Sequence, residues 1–266
     1  MDRALLCGIC KYPIGELNAC VNDVEDMAGL LREKYAFRAA DIVLLEDAQA
    51  TRAAIWEQLG WLVKGAQAGD RLVFYFSGHG VALPSSSSDP SWQRDKLDEA
   101  ICPVDFDWDE PRSAIRDHQF HARFSAVPPG THFVWVSDSC HSGDLADEPL
   151  PTLPHKTLPV PERLRQVLIE AGETPGHGHY ARRLNVAYVG ACGSNRLADD
   201  SSDKVHPKSL LSKYLQEELR AEPARPLIDT VIRVRARCRQ AHRQQRPMLE
   251  GSPALVREPF LGGARP

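Results

Sequence analysis

Two short apolar runs that each stop in a small polar corner restrict the fold more than anything else in this chain. Leu72-Val73-Phe74-Tyr75-Phe76 leads into Ser77-Gly78-His79-Gly80, and Val134-Trp135-Val136 leads into Ser137-Asp138-Ser139-Cys140-His141-Ser142-Gly143. Brief runs rich in β-branched and aromatic residues read as strands buried on both faces, the pattern of a parallel sheet. Open α/β sheets gather their reacting groups beyond the C-terminal strand ends. Two neighbouring parallel strands would therefore bring His79 and Cys140 to one edge, although they are far apart in sequence. A thiol attacks as thiolate and needs a base beside it, which makes Cys140 the candidate nucleophile and His79 the candidate base. His141 is a poor base, because consecutive side chains near a strand end diverge.

The rest of the chain alternates in the same way. Ala4 to Ile9 reads as a first strand, and Asn18 to Tyr35 as a helix with Val21, Val24, Met27, Leu30 and Leu31 on one stripe. Asp41 to Leu45 reads as a strand, and Arg52 to Lys64 as a helix whose inner face is Ile55, Leu59 and Leu62. After the cysteine corner, Asp144 to Arg183 is rich in proline and reads as an exposed excursion. Leu184 to Gly190 then resumes the core as a fifth strand. Lys208 to Leu219 and Leu227 to Arg239 have helical spacing, and the tail after Arg246-Pro247 reads as loop. The alternation predicts an α/β fold with a mostly parallel central sheet, helices on both faces and right-handed crossovers. Leu83 to Asp89 is loop by composition. The acidic region after it, Asp95 to Asp117, is interrupted by Ile101-Cys102-Pro103-Val104 and Ala114-Ile115, short pieces expected to pin some of its carboxylates.

Composition removes several function classes. The 266 residues carry a net charge of −4, which gives no footprint for nucleic acid. No apolar run approaches the roughly 18 residues of a membrane span, and Met1 to Cys7 lacks the layout of a signal peptide, so a cytoplasmic protein is expected. Seven cysteines, an odd number, argue for reduced thiols rather than a disulfide framework. Cys7 and Cys10 form a CxxC with no second pair at metal-ligand spacing, and they read as core or strand-edge thiols. Cys102, Cys192 and Cys238 read as packing residues.

The histidine and cysteine corners together resemble the paired motifs of metacaspases, the caspase-like cysteine peptidases of family C14 in clan CD, here closest in kind to the prokaryotic orthocaspase branch. The cysteine lies somewhat further from the histidine than the roughly 50 residues of animal caspases, whose local cysteine sequence also differs. Gly190 to Asp199 and Gln245-Arg246-Pro247-Met248-Leu249 resemble later elements of the same family. The resemblance implies the caspase-hemoglobinase fold in a single domain, 1–266. Residues 1–143 correspond to the large subunit, 144–183 to a linker, 184–250 to the small subunit and 251–266 to a tail.

It further implies a cysteine endopeptidase of protein or peptide substrates, in which Cys140 attacks the scissile carbonyl and His79 protonates the leaving amine. The backbone N–H groups of Gly80 and Cys140 would form the oxyanion hole. No third, orienting side chain is legible. The family's acidic specificity pocket maps onto Asp23, Ser77 and Asp138, which predicts cleavage after Arg or Lys, since a substrate carboxylate would meet like charge. Taken alone, Asp23 would also suit the start of a helix, and Asp138 a structural hydrogen bond.

No cofactor is required for this chemistry. The resemblance implies either Ca²⁺ as an activator, with Asp98, Asp117 and either Asp144 or Asp147 in the corresponding places, or, as the alternative, a solvated acidic face. Here Arg116-Asp117-His118 stands where the family often has consecutive acids. Basic residues in the excursion, Lys156, Arg163, Arg165, Arg182 and Arg183, offer sites of self-cleavage, with Arg182-Arg183 the expected boundary. Lys208-Ser209-Leu210 departs from the family's glycine-rich helix entry. A monomeric stress, cell-death or defence effector is the expected role; the alternative is a catalytically inactive caspase-like scaffold that binds partners.

Overall fold

The computed structural model describes residues 1–13, 15–85, 97–140, 156, 158, 160–161, 163–164, 184–192, 198–200, 205–241 and 245–263. In chain order the elements are β1 (Asp2–Gly8), α1 (Cys20–Tyr35), β2 (Ile42–Glu46), α2 (Arg52–Val63), β3 (Arg71–Ser77), β4 (Gly80–Pro84), β5 (Leu97–Ile101), β6 (Ile115–Arg116) and α3 (Asp117–Phe124). They continue with β7 (His132–Asp138), β8 (Ala187–Gly190), α4 (Leu210–Ala221), α5 (Leu227–Gln240), β9 (Met248–Gly251) and α6 (Pro253–Arg257).

The main sheet has six strands in the order β2-β1-β3-β7-β8-β9. The first five are parallel, and β9 closes the edge antiparallel to β8. Its central strands are apolar on both sides because both sides are covered. Ala4, Leu6, Val73, Tyr75, Val134 and Val136 point into a core shared with α1, α4 and α5. Leu5, Cys7, Leu72, Phe74, Phe76 and Phe133 point into the opposite core with α2 and α3. The period of two along each strand thus feeds two cores from one sheet. Strands from both sides of the linker, β7 and β8, pair directly. Among the described residues no helix is long and apolar enough to cross a membrane.

Three features depart from the sequence reading. The acidic region folds as a second, antiparallel sheet, β4-β5-β6, so the expected loop at Leu83 begins only after Pro84. The tail read as loop contains β9 and α6; β9 is half-buried throughout, and its four residues carry too little alternation to announce a strand. Helix α3 gave no periodic signal because its eight residues bury two apolar side chains, Phe120 and Phe124. These are one helical turn apart and face the same way. They complete an aromatic cluster on the sheet, with Phe120 at 4.7 Å and Phe124 at 5.6 Å from the Trp135 ring, and Phe74 at 5.7 Å from Phe120.

That cluster, not helix propensity, holds α3 in place, since eight residues are too few to form a stable helix alone. Phe120→Ala is expected to cost about 3–5 kcal/mol in urea denaturation, and Phe120→Leu distinctly less.

Candidate active site

Strands β3 and β7 pair in parallel with Ser77 opposite Asp138, and Gly78 N–H donates to the Asp138 carbonyl at 3.3 Å. The two polar corners therefore leave the same edge side by side, and both carry buried side chains: His79 is 1% exposed and Cys140 is fully covered.

His79 is fixed from several directions. Its N–H donates to the Tyr12 hydroxyl at 3.0 Å, and that hydroxyl donates to the Cys102 carbonyl at 2.8 Å. Cys102 N–H in turn donates to the His79 carbonyl at 2.9 Å. The Tyr12 and His79 rings are 4.6 Å apart. The imidazole Nε2 hydrogen-bonds the Gly15 carbonyl. A backbone carbonyl thus holds the imidazole, where the sequence revealed no third, orienting side chain. Gly15 has φ +78°, and a Cβ there would lie 3.3 Å from the His79 ring, so glycine suits both the conformation and the close approach.

A carbonyl accepts only from N–H, so Nε2 carries the ring proton and Nδ1 keeps its lone pair. Nδ1 has no partner at hydrogen-bonding distance, and the ring lies against the Lys156 backbone. Burial lowers the pKa of His79 to about 4, against an upward pull from the Gly15 and Lys156 carbonyls. The ring is neutral at ordinary pH, the form a general base requires.

Cys140 Sγ lies against Ala198, whose N–H points at it and whose carbonyl is 3.6 Å away. Cys192, read as a packing residue, is buried but also touches this thiol. Its pKa is raised first by the hydrogen bond to Cys140 and then by burial. All seven cysteines are free. Cys7 is buried, with burial raising its pKa, and Cys10 Sγ accepts the Val21 N–H at 3.4 Å.

The expected specificity residues also converge. Ser77 Oγ donates to Asp23 Oδ2 at 2.8 Å, and Asp23 and Asp138 are 1% and 0% exposed. The space between them holds Lys156. Its Nζ is 2.7 Å from Ser77 Oγ, 3.2 Å from Asp138 Oδ1 and 3.4 Å from Asp23 Oδ2, and the side chain is fully buried. The Lys156 carbonyl accepts the Gly80 and the Cys140 N–H groups, each at 3.2 Å. One residue thus occupies both the acidic pocket and the expected oxyanion hole. Burial works against the charge on Lys156, but Asp138 foremost, with Cys20, Asp23 and Asp200, raises its pKa well above the ordinary lysine value. Burial raises the pKa of Asp23, and Lys156 opposes this.

Two serines complete the pocket. Ser209 N–H donates to Asp23 Oδ1 at 3.0 Å, and its hydroxyl donates to Asp23 Oδ2. Ser212 donates to Asp138 Oδ2 from its hydroxyl at 2.5 Å and from its N–H at 3.3 Å. Both stand at the start of α4, so the helix aims its free N–H groups at the carboxylates. The signal was a Ser-x-x-Ser at a helix entry, readable as a cap but not as a pocket wall.

The described positions expected for calcium fall elsewhere, Asp98 on β5 and Asp117 at the start of α3. Asp98, Asp117 and His118 bring one donor atom each within 4.8 Å of one another. Arg116 Nη1 is 2.8 Å from Asp98 Oδ2. His118 has its pKa raised to about 9 by Asp117 and then Asp98. Asp144, Asp147, Arg182 and Arg183 lie outside the described residues.

Comparison with known proteins agrees with this geometry. Residues 2–149 match the family model described as "Metacaspase, peptidase C14 domain". The chain is 38% identical over 155 residues to Metacaspase-1A of Aspergillus terreus, covering 55% of this chain and 37% of that protein. It is 40% identical over 156 residues to Metacaspase-8 of Arabidopsis thaliana, covering 55% and 38%. The matched part thus spans little more than a third of these relatives. Among solved structures, protein GSU0716 of Geobacter sulfurreducens superposes with a TM-score of 0.70 at 19% identity, covering 100% of this chain and 99% of that one. Caspase-1 of Spodoptera frugiperda gives 0.58 at 10% identity, covering 99% and 90%. At such identity these two establish the fold alone, a caspase-like α/β arrangement.

The depressed pKa of His79 has a measurable consequence. The unfolded ring binds its proton near pH 6.5 and the folded ring near 4, so the contribution of the neutral ring is complete above 6.5 and declines as pH falls toward 4. Between pH 7.5 and 4.5 the wild type should lose about 2–3 kcal/mol more stability than His79→Gln in paired urea titrations.

Proposed function

We propose that this chain, which belongs to the metacaspase family of C14 peptidases by a match over more than half its length, is a cysteine endopeptidase that cleaves after Lys or Arg and takes Lys156 as its own first target. The observation that carries this reading is the double seat of Lys156. Its ammonium lies between Asp23 and Asp138, and its carbonyl lies on the N–H groups of Gly80 and Cys140. A substrate residue preceding a scissile bond would use the same two sets of contacts. Arg suits the same pair of carboxylates through its forked donors.

In the reaction so read, neutral His79 takes the thiol proton, and the Cys140 sulfur forms a bond to the carbonyl carbon. The resulting oxyanion is held by Gly80 and Cys140 N–H, donors already aimed before reaction. The carbon–nitrogen bond then breaks as the imidazolium gives its proton to the leaving amine. Water, deprotonated by the same ring, hydrolyses the thioester and returns the thiol. The chemistry needs no metal or organic cofactor.

Applied to Lys156, the broken bond is Lys156–Thr157. The linker was expected to be exposed, with Arg182-Arg183 as its boundary. Lys156 is instead buried, and so is Leu158 at 4% exposure, and the seat of Lys156 on the carboxylates and the Gly80 and Cys140 N–H groups favours it as the first cut. Until it is cut, the segment competes with any outside substrate for the same pocket. A role as a stress, cell-death or defence effector would follow from the family, and a catalytically inactive scaffold is the competing reading.

Purified protein should hydrolyse fluorogenic peptides ending in Lys or Arg and leave Asp-terminated ones intact. Asp138→Asn should lower kcat/KM on Lys and Arg peptides by about 30-fold to 1000-fold, the equivalent of roughly 2–4 kcal/mol for a buried charge left unpaired. Intact-mass analysis over time should give two fragments that meet at Lys156–Thr157, with Cys140→Ala remaining whole. A first cut at Arg182-Arg183 would refute Lys156 as the first target, and equal fragmentation of the Cys140→Ala protein would refute self-cleavage. Failure to hydrolyse any peptide before or after cleavage would favour the scaffold.

A further inference from the structure

We infer that the acidic cluster corresponding to the family's calcium position is closed in this chain by a cation of its own, the Arg116 guanidinium, which clasps the β4–β5 hairpin beside the active site and leaves no seat for Ca²⁺. Arg116 sits in β6 with a nearly buried side chain, 8% exposed, against Asp98 at 2%. Its Nη1 reaches two different strands: it donates to Asp98 Oδ2 on β5 at 2.8 Å and to the Pro84 carbonyl at the end of β4 at 2.9 Å. His118 Nδ1 approaches the same Asp98 oxygen at 3.4 Å and Asp117 Oδ1 at 3.7 Å. The Asp117 oxygens are engaged by backbone, Oδ1 by the His118 N–H at 2.6 Å and Oδ2 by the Glu99 N–H at 3.3 Å.

This donor set does not suit calcium. Ca²⁺ takes six to eight oxygen ligands at about 2.3–2.6 Å. Here two carboxylates and an imidazole nitrogen converge, and nitrogen is a poor partner for so hard an ion. The Asp98 oxygen that would ligate the ion already contacts a guanidinium. An arginine keeps its charge at every accessible pH, so a divalent ion bound to that oxygen would stand directly beside a fixed positive charge. The same side chain supplies what an ion would have supplied, namely neutralisation of Asp98 and a bond between strands.

The hairpin so held is the one that carries the oxyanion donor. Strand β4 begins at Gly80, which faces Ile101 on β5, and Ile101 faces Ile115 on β6; Arg116 faces Ala100. Strand β6 is two residues long, too short to fix the hairpin by its ladder alone. The guanidinium adds a tie at the far end, where Leu83 is opposite Asp98. The strand that begins at Gly80 is thereby held by a cation that the chain itself carries.

The test uses the full chain as Cys140→Ala, which stays uncut, stripped with a chelator. Ca²⁺ titrated by calorimetry to millimolar concentration should give no saturable heat, and Tm should be the same in chelator and in Ca²⁺. One saturable calcium site in this protein, or a Tm that rises with Ca²⁺, would overturn the inference. This arm needs no mutation of the cluster and no enzymatic activity, so it stands or falls apart from the proposed peptidase function.

Arg116→Asp, made in the same background, exchanges the cation for a third carboxylate. It should show a lower Tm in chelator and acquire calcium binding, with Tm rising by about 5–10 °C at about a hundredfold excess over Kd. An Arg116→Asp protein that folds as stably as its parent in chelator, with no response to Ca²⁺, would show that the guanidinium does not hold the hairpin.

Discussion

The parallel pairing of β3 with β7 is the constraint on which the site depends. Its register sets Ser77 against Asp138, and the two reactive corners then diverge from neighbouring points on one edge. A slip of one residue would turn Asp138 to the opposite face of the sheet and separate the pocket from the nucleophile. The register is held by side chains of alternating destination, since Val73, Tyr75, Val134 and Val136 belong to one core and Leu72, Phe74 and Phe133 to the other. Helix α1 is brought in by an equally tight contact on the next strand. A Cβ on Gly8 would lie 2.4 Å from the Cys20 carbonyl and 2.6 Å from Val24, so the helix rests directly on the end of β1. That closeness lets Asp23, in the first turn, reach Ser77.

Whatever depended on periodicity or on a side chain's own chemistry was legible in the sequence. The five parallel strands and helices α1, α2, α4 and α5 rest on local pattern, whereas the roles proposed for Asp23, Ser77 and Asp138 came from the family resemblance and not from any local signal. The missed parts rest on contacts between distant segments. Tyr12 holds His79 across 67 positions, Gly15 across 64, and Ser209 holds Asp23 across 186. No window of sequence contains both members of such a pair. Gly15 is the sharpest case, because the group that orients the imidazole is a carbonyl and every residue has one. Helix α3 and strand β9 were missed for a different reason: each is too short to show a period, and each is stabilised by the sheet it packs on.

In the Lys156 seat two buried carboxylates stand close together, and the pKa of Asp23 is raised by burial and by Asp138 while Lys156 and Ser209 pull it down. Like charges at such range ordinarily raise one pKa strongly. Here each acid also accepts hydroxyl and backbone N–H groups from the start of α4, and a cation lies between them. Remove the cation and the serines and helix end remain as donors to both carboxylates. On the proposed specificity, a pocket organised that way would be pre-set for a basic residue, with the ordering cost falling on folding and not on binding.

The two acidic clusters solve one electrostatic problem with cations of different tenure. Asp98 faces an arginine within the same three-stranded sheet, where a planar, permanently charged fork can bridge two strands. Asp23 and Asp138 face a lysine, a compact point charge whose Nζ also lies 2.7 Å from Ser77 Oγ. The first cation must remain for the hairpin to keep its shape. The carbonyl of the second accepts the Gly80 and Cys140 N–H groups, so on the proposed reading cleavage after it would free the residue to leave and open the pocket. On that reading, permanence in one cluster and release in the other follow from where each cation is anchored.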